Sequence, residues 1–405
     1  QKSLAKGTSK AEAERAVDAV IAAIKAGLKK GKPVLVQVEG PSPGGVQISS
    51  PAPRAAAVRV EANQPPPAPW IRPSLSLDGD WELAWGEKGA GPQSEWRKVQ
   101  APGSAHLQWL PPDQVYSREA VWISRKEWWY RKRFAVPADF HGSRLRLEFD
   151  ATDYYAEIFL NGKRLGRHEG YVDRHSWDVT GAIRSGAANE LLVRVWTPVH
   201  YYWKHRPYTV KGSYGGVDQK PDDITAVGVT GSVRLSAFEN ARITDVAVRT
   251  SLPAEGSALV SLELEAEGDL EGFAWQAWLM PATFQGPAVR VSAPAAASAL
   301  EIPVSDPRPW WTWDLGKPDL YWLDLRLLGP GGQVADARRL RIGLREIRRN
   351  GWQFYLNGKR IFLRGTNIYA NLWLSEMSRA RYAADLDWIG KMNVNLIRVH
   401  CHFER

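Results

Sequence analysis

Arg398 and His400 close the apolar run "VNLIRVH", and His402 follows two residues later. Alternate residues of a strand share one face, so a guanidinium and two imidazoles can meet on one side. Such a trio suits a carboxylate or a hydroxyl-rich ligand, because it combines a permanent charge with several donors. Metal binding by His400 and His402 is not expected, since no third ligand lies nearby in sequence. Either His is equally well read as packed at a strand end. Glu404 lies past the strand, in a loop, and reads as a supporting or structural residue. Asn367 ends the run "IFLRGTN" and offers an amide for a ligand hydroxyl or for a turn. Trp373 reads as a pocket wall or as a lid over a rim. The stretch "HYYWKHRPYTVKGSYGG", residues 200–216, is rich in Tyr, His and Lys and reads as surface packing or as a binding loop.

The elements that must position these groups are legible around them. "IFLRGTN" and "VNLIRV" are apolar enough to be buried strands. Between them, "SRARYAADLDWIGKMN" is helical: Ser378 caps it, and Tyr382, Leu386, Ile389 and Met392 mark an inner face. Strand, helix, strand predicts a βαβ unit of a parallel sheet. Asp385 sits within that helix, away from the strand ends.

Upstream, residues 70–238 show short alternating runs split by turn residues, which predicts one β-sandwich. In "RLRLEFDATDYYAEIFLNGKRLGRHEG", Leu145, Leu147 and Phe149 alternate, Ile158 and Leu160 follow, and Asn161-Gly162 signals a type I′ hairpin. Residues 239–345 repeat the pattern over a length that suits an immunoglobulin-like sandwich. Asn357-Gly358 marks a further hairpin at the start of 346–405. Residues 40–69 contain "GPSPGG" and "QPPPAP" and predict a stiff linker. Residues 1–39 predict a short helical segment: Ser9 and Glu12 make a capping box, and Ala13, Val17, Val20, Ile21, Ile24 and Leu28 recur at helical spacing.

Bulk composition narrows the classes. The chain has 405 residues, 44% hydrophobic and 24% charged, with a net charge of +9 and no long basic block. That balance does not by itself argue for nucleic acid. One Cys excludes an internal disulfide framework and a Cys-rich zinc site. No apolar run reaches the roughly 18 residues of a membrane helix. Trp is in excess, at 20 residues. Most are expected to pack inside sandwiches, and some to stack on sugar rings.

From about residue 75 to 405 the chain resembles the N-terminal part of glycoside hydrolase family 2, which includes β-galactosidases, β-glucuronidases and β-mannosidases. "LDGDWELAW", "WWYRKRFAVP" and "LRLEFDATDYYAEIFLNGKRLGRHEGYVDRHSWDVT" resemble its sugar-binding domain. "PRPWWTWDLGKPDLYWLDL" and "RIGLREI" resemble the end of its immunoglobulin-like domain, and "FYLNGKRIFLRGTNIY" with "MNVNLIRVHCH" its first two barrel strands. "GVTGSVRL" departs from the family's usual turn by lacking a Trp and an Arg.

The resemblance implies a mainly β chain: a jelly-roll-like sugar-binding sandwich, an immunoglobulin-like sandwich, then the first βαβ of an incomplete (β/α)8 barrel. It implies a retaining β-glycosidase acting on terminal β-linked sugars, with a carbohydrate as partner and no cofactor. The family's acid/base and nucleophile Glu residues stand on the fourth and seventh barrel strands. Neither falls within these 405 residues, so no residue here is expected to be catalytic and the chain alone is expected to be inactive. Arg398 matches the Arg that holds the nucleophile; His400, His402, Asn367 and Trp373 are the other expected binding or supporting residues. An inward Arg398 paired with a core acid is the competing reading.

Two other functions compete: a non-catalytic carbohydrate-binding protein, and nucleic-acid binding through residues 1–35. That second segment resembles the opening helices of the bacterial HU family. The family's Gly-Phe-Gly turn and basic arm are missing from it, so DNA binding is not carried over. An oligomer is compatible with the sequence, and a periplasmic or secreted location is favoured over a cytoplasmic one.

Overall fold

The computed structural model describes residues 59–62, 67–140, 142–198, 224–239, 241–368 and 373–399. The chain divides into two compact units, Gln1–Arg54 and Ala55–Arg405, and the described residues belong to the second. The expected N-terminal helix, its HU-like segment and the 200–216 loop lie outside them.

Alternation builds the first sandwich. One sheet has six strands, in spatial order Arg97–Ala101, Gly79–Gly86, Glu127–Ala135, Ala188–Trp196, Tyr154–Leu160 and Lys163–Gly170. Facing it are four, His175–Asp178, Arg144–Phe149, Val233–Phe238 and Ser74–Ser76. The inward residues Trp81, Leu83, Trp128, Tyr130, Leu147, Phe149, Ile158, Val193 and Leu235 form one buried core. The hairpin at Asn161-Gly162 has φ 52° and 79°, as a type I′ turn requires. Asn161 is also held by its own side chain, which donates to Ala182 O (2.8 Å) and accepts from the Glu190 amide (2.9 Å).

The second sandwich pairs a sheet of Ala241–Ser251, Ser257–Gly268 and Ala299–Ser305 with a five-stranded one. The latter runs Arg59–Ala62, Val289–Pro294, Ala274–Pro281, Tyr321–Leu328, Val334–Ile342. Its core holds Ile243, Val260, Trp275, Leu300, Leu323 and Leu325. The mainly β architecture is the expected one. The edge strand is not: Arg59–Ala62 falls inside the expected linker, yet it pairs antiparallel with the sandwich, Arg59 opposite Ser292 and Ala62 opposite Val289. The flanking Pro and Gly clusters dominate the composition of 40–69, but Ala55–Gln64 contains neither residue. A free stretch of that kind can add to an exposed edge.

Residues 347–361 form a three-stranded antiparallel sheet, Ile347–Asn350, Gln353–Leu356 and Lys359–Ile361, with Asn357-Gly358 at φ 50° and 78° in its second turn. Gly365–Ile368 and Leu396–Val399 then pair in parallel, joined through the helix Arg379–Lys391. Ser378 caps that helix, its hydroxyl accepting from the Arg381 amide. The helix carries no buried residue, so the expected inner face at Leu386 and Met392 is uncovered by the described residues.

Candidate functional site at the parallel strand pair

Parallel sheets present their functional groups at the C-terminal strand ends. Here the register sets Asn367 directly beside Arg398. The Arg398 guanidinium reaches the Asn367 amide oxygen at 3.4 Å, and both residues are exposed. The pair is therefore a loosely joined donor set open to a ligand. Among the described residues no carboxylate pairs with Arg398, so the competing reading of an Arg tied to a core acid finds no partner there. His400, His402 and Glu404 lie outside the described residues.

Trp373 departs from the expected pocket wall. Its side chain is fully buried, in a cluster with Val115, Ala120, Ile224 and Ala226 of the first sandwich. The indole lies 4.6 Å from the His106 ring and 5.8 Å from the Tyr116 ring. Beside it, the Ser375 hydroxyl accepts from the Ser104 amide at 3.2 Å. Trp373 and Ser375 are thus docked on the first sandwich. Burial raises the Tyr116 phenol above its ordinary pKa, and the Glu376 carboxylate adds to this. An apolar surface this large gains more from burial than from lining an open site, which is why the Trp anchors the loop.

The opposite, N-terminal ends of the two strands are bolted to the second sandwich. Arg364 donates to Asp314 Oδ2 at 2.7 Å, and Asn395 donates to the same oxygen at 3.2 Å. The Asn395 side chain also accepts from the Arg364 amide at 2.8 Å, and the Trp313 indole donates to Val394 O at 3.0 Å. Burial alone would raise the Asp314 carboxyl. Contacts from Thr312, Arg364 and Asn395 outweigh it and bring the pKa to about 2. Sequence reasoning missed this bolt and the Trp373 socket. The only local signal was the cluster of Trp and Asp in "PWWTWDLG".

Among the described residues no group of His, Cys, Asp and Glu is placed to hold a metal. No described helix is long and apolar enough to cross a membrane.

Comparison with known proteins adds the family. The model described as "Glycosyl hydrolase 2 galactose-binding domain-like" matches residues 81–221, and "Glycosyl hydrolases family 2" matches 241–345. A putative β-glucuronidase of Formosa agariphila is 28% identical over 279 residues, which is 67% of this chain and 32% of that protein. A mannosylglycoprotein endo-β-mannosidase of Lilium longiflorum is 23% identical over 76% of this chain and 37% of its own length. The chain thus spans about a third of the length of these curated relatives. The crystal structure of a β-D-mannosidase from Dictyoglomus thermophilum superposes with a TM-score of 0.68 at 26% identity, over 82% of this chain and 44% of that one. With both sandwich domains matched, in the order in which they precede the parallel strand pair, the chain belongs to glycosyl hydrolase family 2.

Proposed function

We propose that this chain is the N-terminal portion of a retaining β-glycosidase that removes terminal β-linked sugars from oligo- or polysaccharides. The observation that carries the reading is the pairing of Asn367 with Arg398 at the C-terminal ends of two parallel strands, behind the two family domains. Retaining hydrolysis needs two carboxyls about 5–5.5 Å apart, one to protonate the leaving oxygen and one to attack the anomeric carbon. Arg398 would hold the attacking carboxylate ionised and oriented, and Asn367 would donate to a sugar hydroxyl beside it. The Asp314 bolt ties the N-terminal ends of both strands to the second sandwich, and Trp373, beyond the first strand, is packed in the first sandwich. The relatives named as glucuronidase, mannosidase and galactosidase support a β-glycoside as substrate without selecting the sugar.

The test is to express the whole open reading frame that contains this segment. It is then assayed on nitrophenyl β-glucuronide, β-galactoside and β-mannoside. Turnover of one of them with retained anomeric configuration, lost at least 100-fold in Arg398→Ala, is the expected result. No turnover of any, or full activity in Arg398→Ala, would sink the proposal.

A further inference from the structure

A cavity of about 630 Å³ lies between the two sandwiches, and none of its lining residues belongs to the strand pair. Its origin is the same alternation that makes the core. Leu145, Leu147 and Phe149 face inward, so Arg146 and Glu148 face out, toward the second sandwich. Register places Arg234 opposite Glu148 and Ser236 opposite Arg146 on the neighbouring strand. The second sandwich contributes Arg242, Thr244, Asp245 and Arg338. The volume falls in the range of small-molecule sites.

Most charges in this cleft already have partners. Arg72 grips Asp336 at 3.1 and 2.6 Å. Arg234 is held by Glu148 at 3.0 Å and Asp150 at 3.1 Å, and Arg242 by Glu267 at 2.5 Å. Arg146 uses Ser176 and the same Glu267, and the largely exposed Arg174 lies 3.2 Å from Asp150. Arg338 is the most weakly paired. Its nearest carboxylate oxygen, on Asp336, is 3.7 Å away, and Asp336 already serves Arg72 and the Ile243 amide. Its Nη1 also reaches the Ala337 carbonyl at 3.4 Å, and its Nη2 donates to the Ile243 carbonyl at 2.9 Å. Burial, then the nearby Arg72, lower the Arg338 pKa against the opposing pull of Asp336 and Glu148. Thr244 and Asp245 of the second sandwich and Ser74 of the first also line the cavity, and their side chains have no hydrogen-bond or ion-pair partner among the described residues.

One weakly paired guanidinium, one open carboxylate and two open hydroxyls form a complementary pattern. A bare inorganic anion would use only the first and would fill little of the space. A sugar carrying a carboxylate uses all of them. We propose that the inter-sandwich cleft binds an acidic monosaccharide unit, its carboxylate on Arg338 and its ring hydroxyls on Asp245, Thr244 and Ser74. This site is independent of the proposed glycosidase reading and of Arg398.

Calorimetric titration of the 405-residue chain with D-glucuronate, D-glucose and acetate tests it. Saturable one-to-one binding of glucuronate is expected, with glucose and acetate each at least tenfold weaker. Arg338→Gln and Asp245→Asn should each weaken glucuronate at least tenfold, and Arg398→Ala should leave it unchanged. The Asp245→Asn variant removes a partnerless exposed carboxylate, so it decides the matter even where Arg338→Gln fails to fold. Absence of saturable glucuronate binding, undiminished binding in Asp245→Asn, loss in Arg398→Ala, or acetate binding as tightly as glucuronate would overturn the assignment.

Discussion

Replacing Trp373 with Ala opens a void against His106, Tyr116 and Val115. Large aromatic truncations in a core cost about 3–5 kcal/mol. The expected result is a lower thermal midpoint and faster proteolysis near Ser375. A Trp373→Ala chain as resistant as the wild type would mean that the plug is not a docking anchor. His175 makes a second prediction at this scale. It stacks on Phe149 at 4.8 Å and on His168 at 4.0 Å. The Trp177 indole donates to its Nδ1, which leaves Nε2–H for Thr152. Burial, then the neighbouring His168, press its pKa down to about 3. Protonation would set an Nδ1–H against the Trp177 N–H. Because the folded pKa lies below the unfolded one, the unfolded chain binds the extra proton first. Stability from this group is therefore full above about pH 6.5 and is lost progressively as pH falls toward 3. Between pH 5 and 7, above the carboxylate range, the melting temperature should fall with pH. His175→Gln should flatten that slope, as scanning calorimetry can show.

At the scale of elements, the two parallel strands depend on what holds their ends. Asp314 serves both Arg364 and Asn395, so Asp314→Asn should loosen both strands together. Hydrogen exchange of amides in 364–368 and 395–399 should quicken at pH 7, with little change in the sandwich cores. Asp314 has a depressed folded pKa of about 2, against an ordinary 3.8. Its contribution is present above pH 4 and disappears as pH falls through 2. Wild-type protection of these amides that already declines between pH 7 and 5 would contradict this. The hairpins were legible at the same scale, because Asn-Gly at φ near 50° and 80° is a local requirement of the turn. The edge strand Arg59–Ala62 was not, because its partner Val289–Pro294 is more than 200 residues away.

Across the whole molecule, the described residues leave apolar groups open between residues 347 and 399. Trp352 is 95% exposed, Phe362 79% and Trp388 66%, with Met392 and Val399 also exposed. An apolar surface of this kind favours association. The 405-residue chain should therefore show concentration-dependent oligomers by light scattering, reduced in Trp388→Glu with Phe362→Glu. A strictly monomeric chain at high concentration would refute this. The same polypeptide should release no nitrophenol from the three aryl glycosides, because Arg398 and Asn367 supply donors but no nucleophile. Release that persists in Glu404→Gln would show that the chemistry lies elsewhere in the chain.

Sequence by itself determined the features set by short-range rules. Alternation decided which residues of Arg144–Phe149 face the core, Asn-Gly decided two turns, and Ser378 decided where the last helix begins. The order of the domain motifs was likewise written along the chain. Tertiary structure alone decided the pairings across distance. Arg72 meets Asp336 from 264 residues away, Ser104 meets Ser375 across 271, and Arg364 meets Asp314 across 50. It also decided that Trp373 is buried in the first sandwich, and that polar outer faces of two sandwiches enclose a cleft in which Arg338 is only weakly paired. The reason is physical. Strand faces, turns and caps depend on the geometry of a few consecutive residues. Which charge finds which partner depends on how separately folded sheets come to pack, and local pattern carries no record of that.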